Sequence, residues 1–268
     1  MRPLLIKALL TVTAASLLLF LYGFVAGARD VLYPQAGSSV AKPQEQAKKK
    51  AGTLQIVSLG DSLTRGVGDK EGIGYIGRVK TSLQQTYGQK AALTNLAVSG
   101  AKAPDLLKQL SDKGAQYTLK SADLIVLTIG GNDLFPDWGV MGTTDFSNYR
   151  PDTATFQKNA QAILAKIREA NPKSPIFWMG LYNPFEDVQE LKNTSSIVVN
   201  WNASLEQTAL AYPNVYIVPV FDLFQSRGKD LLYTDHFHPN EKGYALMANR
   251  LLQNLASQLS LEEAGAKK

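Results

Sequence analysis

Five short apolar runs punctuate the chain: LQIVSLG at 54–60, AALTNLAV at 91–98, ADLIVLTIG at 122–130, PIFWMGLY at 175–182 and NVYIVPV at 214–220. Runs of this length read as strands buried on both faces. Between them, apolar residues recur at helical spacing over 74–87, 103–113, 153–170 and 187–211, and a last helical stretch runs from Asn240 to about Leu259 behind Pro239. Alternating strands and helices predict an α/β domain, a parallel sheet covered on both faces with any active site at the carboxyl ends of the strands. The stretch from Phe135 to Pro151 has no clear period and is expected to form a long loop over that edge.

The first fifty residues follow another pattern. Residues 4 to 26 are apolar apart from Lys7, and no charge appears from Ala8 until Arg29, a length sufficient to cross a bilayer core. Arg2 and Lys7 precede the run, so the positive-inside bias keeps the N-terminus in the cytoplasm and sends the rest outward. The expectation is a single-pass membrane anchor over 1–28 with an extracellular folded domain. Ala26-Gly27-Ala28 has the spacing of a signal peptidase site, so secretion after cleavage is the alternative. Residues 29–52 have the Pro, Gly, Ser, Gln and Lys content of a flexible linker, which leaves a folded domain over 53–260 and a disordered tail over 261–268.

Composition adds two constraints. With no cysteine there is no disulfide and no thiol chemistry, so an exported domain rests on its core alone. The net charge of +5 comes largely from the flanks, where Lys42, Lys48, Lys49, Lys50, Lys267 and Lys268 read as solvated positions near anionic lipid or wall polymer, and no nucleic-acid partner is expected.

The first strand runs into Gly60-Asp61-Ser62-Leu63, which puts a serine at a strand end before a helix. Such a serine is either an exposed nucleophile or an ordinary helix cap. The other end of the chain weighs on that choice, because Asp235-His236-Phe237-His238-Pro239 carries both histidines of the protein. An unactivated serine needs a base, and a carboxylate on the far ring nitrogen orients an imidazole. Asp235 and His238, three apart, can share one turn. His236 is adjacent to Asp235 and points elsewhere, as a structural histidine; no metal site is expected from so few nitrogen and sulfur ligands.

Four blocks now stand in order: Gly60-Asp61-Ser62-Leu63, Asn95-Leu96-Ala97-Val98-Ser99-Gly100, Gly130-Gly131-Asn132-Asp133 and Asp235-His236-Phe237-His238-Pro239. Together they resemble the sequence blocks of the GDSL/SGNH hydrolase family, across about Leu54 to Leu259. The resemblance implies a flavodoxin-like three-layer α/β/α sandwich with a five-stranded parallel sheet. It also implies a catalytic Ser62, with His238 taking its proton, Asp235 orienting the ring, and an oxyanion hole made of the Ser62 and Gly100 backbone N–H groups and the Asn132 amide. Gly100 and Asn132 follow the second and third strands, which agrees with a shared edge. There is no G-x-S-x-G elbow around Ser62, and Asp61 is read as a backbone-bonding turn residue.

The family's activities imply an ester hydrolase acting on a small-molecule or lipid ester without a cofactor. A cell-wall carbohydrate O-acetyl esterase or acetyltransferase would use the same acyl-enzyme, and a non-catalytic binding module of the same fold is the reading from a different class. Two surroundings of the serine follow. The glycine-rich loop from Thr64 to Tyr75 is expected to be mobile, and Trp178, Tyr182, Pro184 and Phe185 suit either an acyl chain or the core.

Overall fold

Strand β1 (Leu54–Gly60) pairs on one side with β2 (Ala91–Asn95) and on the other with β3 (Leu124–Thr128), followed outward by β4 (Ile176–Met179) and β5 (Val215–Val218). All four pairings are parallel, giving the order β2-β1-β3-β4-β5. The computed structural model describes residues 7, 13, 15–24, 52–135, 149–188, 191 and 194–259. The chain divides into two compact units, Met1–Lys49 and Lys50–Lys268. In the first, residues 15–24 are helical and the side chains of Leu17, Leu18, Leu19, Phe20, Leu21, Tyr22 and Phe24 are exposed. No helix among the described residues is long and apolar enough to cross a membrane. The anchor, linker and tail expected over 1–28, 29–52 and 261–268 lie largely outside the described residues.

In the second unit the strands carry apolar side chains on both faces, so each face must be covered. Val57, Leu59, Ile125, Leu127 and Trp178 pack against one set of helices: α3 (Ala103–Leu110), α4 (Lys113–Lys120), α6 (Thr153–Ala170) and α7 (Thr194–Ala209). Ile56, Leu124, Val126, Phe177 and Met179 pack against the other, α2 (Gly74–Gln85) and α10 (Glu241–Leu259). The result is the three-layer α/β/α sandwich on a five-stranded parallel sheet. Short helices α1 (Ser62–Arg65), α5 (Gly131–Leu134), α8 (Phe221–Phe224) and α9 (Gly228–Leu231) occupy the connections.

Several bounds differ from the sequence expectation. The helix expected over 103–113 ends at Leu110, and α4 begins afresh where the Asp112 carboxylate accepts from Gly114 N–H at 2.7 Å and Ala115 N–H at 3.2 Å. The helix expected from 187 starts at Thr194, because Asn183 turns the chain after β4 by accepting from Phe185 N–H at 3.0 Å. Most of the loop expected over 135–151 lies outside the described residues; at its far end Tyr149 donates to Leu134 O at 2.5 Å.

After β1 the chain goes first to β2 on one side and then to β3 on the other, so the direction of winding reverses between β1 and β3. Ligand crevices form at such a switch point, beyond the carboxyl ends of the strands. Gly60 stands opposite Thr128 there, and a Cβ on Gly60 would lie 1.7 Å from Thr128 O. Only glycine lets the two strand ends approach this closely.

The loop after Ser62, expected to be mobile, is pinned instead. A Cβ on Gly68 would lie 2.5 Å from Pro239 O and 3.0 Å from His238 Cβ, so this backbone packs directly on the histidine turn. Asp69 closes the loop, accepting from Gly74 N–H at 2.8 Å and from both Arg78 amino groups, one of them at 3.1 Å. Burial pushes the Asp69 carboxyl up, but Arg78 and the Gly74 N–H outweigh it and hold it below the usual carboxylate range. A group depressed in the folded state contributes stability above about pH 4 that is lost as pH falls further. Arg78→Ala should therefore leave a buried carboxylate unpaired and cost about 3 kcal/mol at pH 7. Denaturant titration at pH 7 and pH 3.5 checks this, with the gap to the parent chain expected to narrow at the lower pH.

Candidate active site

Asp61 follows β1 and caps α1, its Oδ1 accepting from Leu63 N–H at 3.0 Å and from Thr128 Oγ1 at 2.6 Å. This is the backbone-bonding position expected of it. Thr64 Oγ1 lies 2.8 Å from Thr128 Oγ1 and 2.6 Å from the Tyr75 hydroxyl, so a buried hydroxyl chain leads from α2 to the Asp61 carboxylate. Burial pushes the Asp61 carboxyl up, against the pull of the Thr128 hydroxyl and the Leu63 N–H. With the turn fixed from both sides, Ser62 is presented as the first residue of α1.

The histidine arrives from the far end of the chain. α10 packs on α2 through Tyr244, Met247 and Leu251, and the Tyr244 hydroxyl donates to Val67 O at 2.6 Å, tying its first turns to the loop behind Ser62. Ahead of α10, Tyr233 N–H donates to His238 O at 2.7 Å and Tyr182 donates to Phe237 O at 2.5 Å. His236 sits at φ 53°, exposed, on the outside of this turn.

Within the turn, Asp235 Oδ1 accepts from the backbone N–H groups of Phe237 and His238, each at 3.0 Å. Its Oδ2 lies 2.7 Å from His238 Nδ1, and His238 Nε2 lies 2.8 Å from Ser62 Oγ. Burial pushes the Asp235 carboxyl up, yet the bonds from the His238 ring and the two N–H groups outweigh it and hold it below the usual carboxylate range. An ionised carboxylate only accepts, so Nδ1 carries the proton and Nε2 is the acceptor for the Ser62 hydroxyl. Ser62 and His238 are 5% and 6% exposed, which shields this chain of bonds from competing water.

Asn132, on α5, lines the same crevice as Ser62, and its Nδ2 donates to Ala101 O at 3.0 Å, which leaves one N–H to spare. Gly100 does not line the crevice wall; it lies one residue before that bond, at φ 78°, with nothing within 4 Å of where a Cβ would stand. Among the described residues neither Ser62 N–H nor Gly100 N–H is donated within the chain. The arrangement therefore offers a serine hydroxyl with its proton acceptor, and beside it amide donors not yet spent on the protein.

The crevice holds about 350 Å³ including its open mouth. Apart from Asp61, Ser62 and Asn132 its walls are apolar, lined by Leu63, Gly131, Phe135, Leu181, Pro184, Phe237 and the ring of Tyr182. Tyr182 and Pro184 thus belong to the crevice, whereas Trp178 is core, packed edge-on to Phe156 and pointing its ring N–H at Ile129 O. Phe185 stands one layer back, edge-on to Phe135 at 5.2 Å. Leu181 and Phe237 were not singled out by sequence reasoning. Leu181 stands two residues past the end of β4, held there by Asn202, which accepts from its N–H and donates to its C=O, each at 2.8 Å. Among the described residues no group of three or more His, Asp or Glu side chains converges as metal ligands do.

The family model for the GDSL-like lipase/acylhydrolase family matches residues 58–246. YpmR of Bacillus subtilis is 33% identical over 227 residues, 82% of this chain and 89% of its own length. The spore germination lipase LipC of Bacillus licheniformis is 30% identical over 207 residues, 74% of this chain and 95% of its own. Among solved structures, a lipase from a goat rumen metagenome aligns with a TM-score of 0.62 at 26% identity, over 75% of this chain and 96% of that one. The family 3 carbohydrate esterase of Clostridium thermocellum aligns at 0.58 with 20% identity, over 78% and 98%, and shares the fold.

Proposed function

We propose, for a chain that belongs to the GDSL-like lipase/acylhydrolase family and is a carboxylic ester hydrolase, that it cleaves lipid-type acyl esters through an acyl-enzyme on Ser62. The observation that carries this is the unbroken line from Asp235 Oδ2 to His238 at 2.7 Å and from His238 Nε2 to Ser62 Oγ at 2.8 Å. Ser62 Oγ attacks the ester carbonyl carbon while its proton passes to His238 Nε2. The carbonyl oxygen becomes an oxyanion held by Ser62 N–H, Gly100 N–H and the spare Asn132 N–H, donors that act where charge develops. Collapse breaks the bond to the alkoxy oxygen, which leaves with the proton from Nε2. Water then enters, gives a proton to Nε2, attacks the acyl carbon and releases the carboxylic acid with Ser62 restored.

The apolar walls of Leu63, Phe135, Leu181, Tyr182 and Phe237 favour an acyl chain over a sugar acetyl group, since each buried methylene contributes about 0.8 kcal/mol. Initial rates on p-nitrophenyl acetate, butyrate and octanoate test this. We expect kcat/KM to rise with chain length; acetate as the best of the three would favour acetyl-ester chemistry. The uncharged apolar run that begins at Ala8, with Arg2 and Lys7 before it, further suggests attachment to the outer face of the cell membrane. Fractionation of the full chain against residues 51–268 tests that: the full chain is expected with membranes and accessible to external protease, and recovery in the soluble cell interior would overturn it.

A further inference from the structure

Two of the amide donors proposed for the oxyanion come from different elements, Gly100 from the loop after β2 and Asn132 from α5. The loop is fixed on one side of Gly100 by Val98 N–H donating to Gly60 O at 2.8 Å. On the other side Ala101 N–H turns back to Val98 O at 3.1 Å, and α5 ties the segment to the second donor: Asn132 holds Ala101 O, and the next residue, Asp133, accepts Ala103 N–H with both carboxylate oxygens, at 3.1 and 3.0 Å. We propose that Asp133 is a positioning residue that locks the Gly100 loop onto α5, so that the Gly100 and Asn132 donors keep one mutual geometry as the oxyanion forms. This rests on the acyl-enzyme reading of the Ser62 site.

The chemistry of the clamp gives it a pH dependence. Burial pushes the Asp133 carboxyl up to about 6, against the Ala103 N–H and the Lys102 charge, while the Asp61 carboxylate adds to the push. Lys102 from the loop and Asp61 from the nucleophile turn are the charged groups that act on it. Because the folded chain holds this proton more tightly than the unfolded one, ionising Asp133 lowers stability between about pH 4 and pH 6. A carboxylate that costs the fold stability yet is the acceptor joining the two donor elements fits a role in turnover better than one in folding. Protonation turns a charge-assisted acceptor into a weaker one, so the lock should loosen below about pH 6.

The test compares Asp133→Ala and Asp133→Asn with the parent chain, measuring kcat and KM on p-nitrophenyl butyrate from pH 5 to 9 together with melting temperature. Misplacing a donor that acts only in the transition state lowers kcat with little change in KM. Asp133→Ala is expected to lose about 10- to 100-fold in kcat at pH 8 with KM within about threefold. Asp133→Asn keeps an acceptor oxygen and should recover most of that loss, melting no lower than the parent at pH 8. Its log kcat should fall less steeply on the acid side than that of the parent, whose clamp weakens as Asp133 takes up a proton. Parent turnover with Asp133→Ala within about twofold of it in kcat, a loss expressed in KM, or identical acid slopes would overturn the proposal. Absence of Ser62-dependent turnover in the parent would overturn the acyl-enzyme reading itself and the clamp with it.

Discussion

Ser62→Ala and His238→Ala should each reduce kcat on an activated ester by about 10⁵-fold or more, and the double variant should be no slower than either single one. The reason lies in the contact between them: at 2.8 Å, Nε2 is the acceptor for the Ser62 proton, so removing either partner disables the same step. Ser62→Ala removes only a hydroxyl, and after His238→Ala the part-exposed Asp235 carboxylate still accepts from the backbone N–H groups of positions 237 and 238, so the folded state should survive. Steady-state kinetics on purified variants, with melting curves as a control for folding, check this. Additive losses, or residual turnover above about one per cent of the parent, would show that another group serves as nucleophile or base.

Asp235→Asn should cost about 10⁴-fold in kcat while leaving KM nearly unchanged. The amide can still accept from the Phe237 and His238 N–H groups, so the turn holds, but it no longer presents an anion to Nδ1. The imidazole is then free to carry its proton on Nε2, where it blocks the serine instead of receiving from it. Because the folded chain holds Asp235 below the usual carboxylate range, its contribution to stability is present above about pH 4 and lost as pH falls through the lowered value. The parent should therefore lose stability on acidification through pH 4 more steeply than Asp235→Asn, which thermal melts at pH 3 to 7 measure.

Much of the domain was legible because its strands are near-continuous apolar runs, a pattern that a parallel sheet with two covered faces imposes. Leu124–Thr128, buried throughout, is the clearest case. The break at Asp112 was hidden because a capping aspartate inside a polar stretch differs little from a surface position of one long helix. The start of α7 was missed because residues 187–193 carry helix-compatible side chains, while the turn is set by one Asn183 bond that no periodicity reports. In the site, Ser62, Asp235 and His238 could be named because strand-end position and the scarcity of histidine select them. The walls could not: Leu181 and Phe237 owe their place to the Asn202 and Tyr182 bonds, made across the fold. Asp133 was given no role of its own for the same reason, since its partner Ala103 is thirty residues away.

The tightly packed loop from Gly66 to Gly74 also changes how the site should be pictured. Glycines there permit close contact with the histidine turn, and the Asp69–Arg78 pair holds that contact shut. The geometry of the serine and histidine is thus carried by rigid neighbours, which is what a preorganised site requires.

The most direct test of the Ser62 mechanism is peptide mapping by mass spectrometry after exposing the protein to a fluorophosphonate ester. A single adduct on the peptide containing Ser62, absent in Ser62→Ala and formed far more slowly in His238→Ala, is the expected result. An unmodified Ser62 in protein that still hydrolyses esters, or an adduct on another residue, would contradict it.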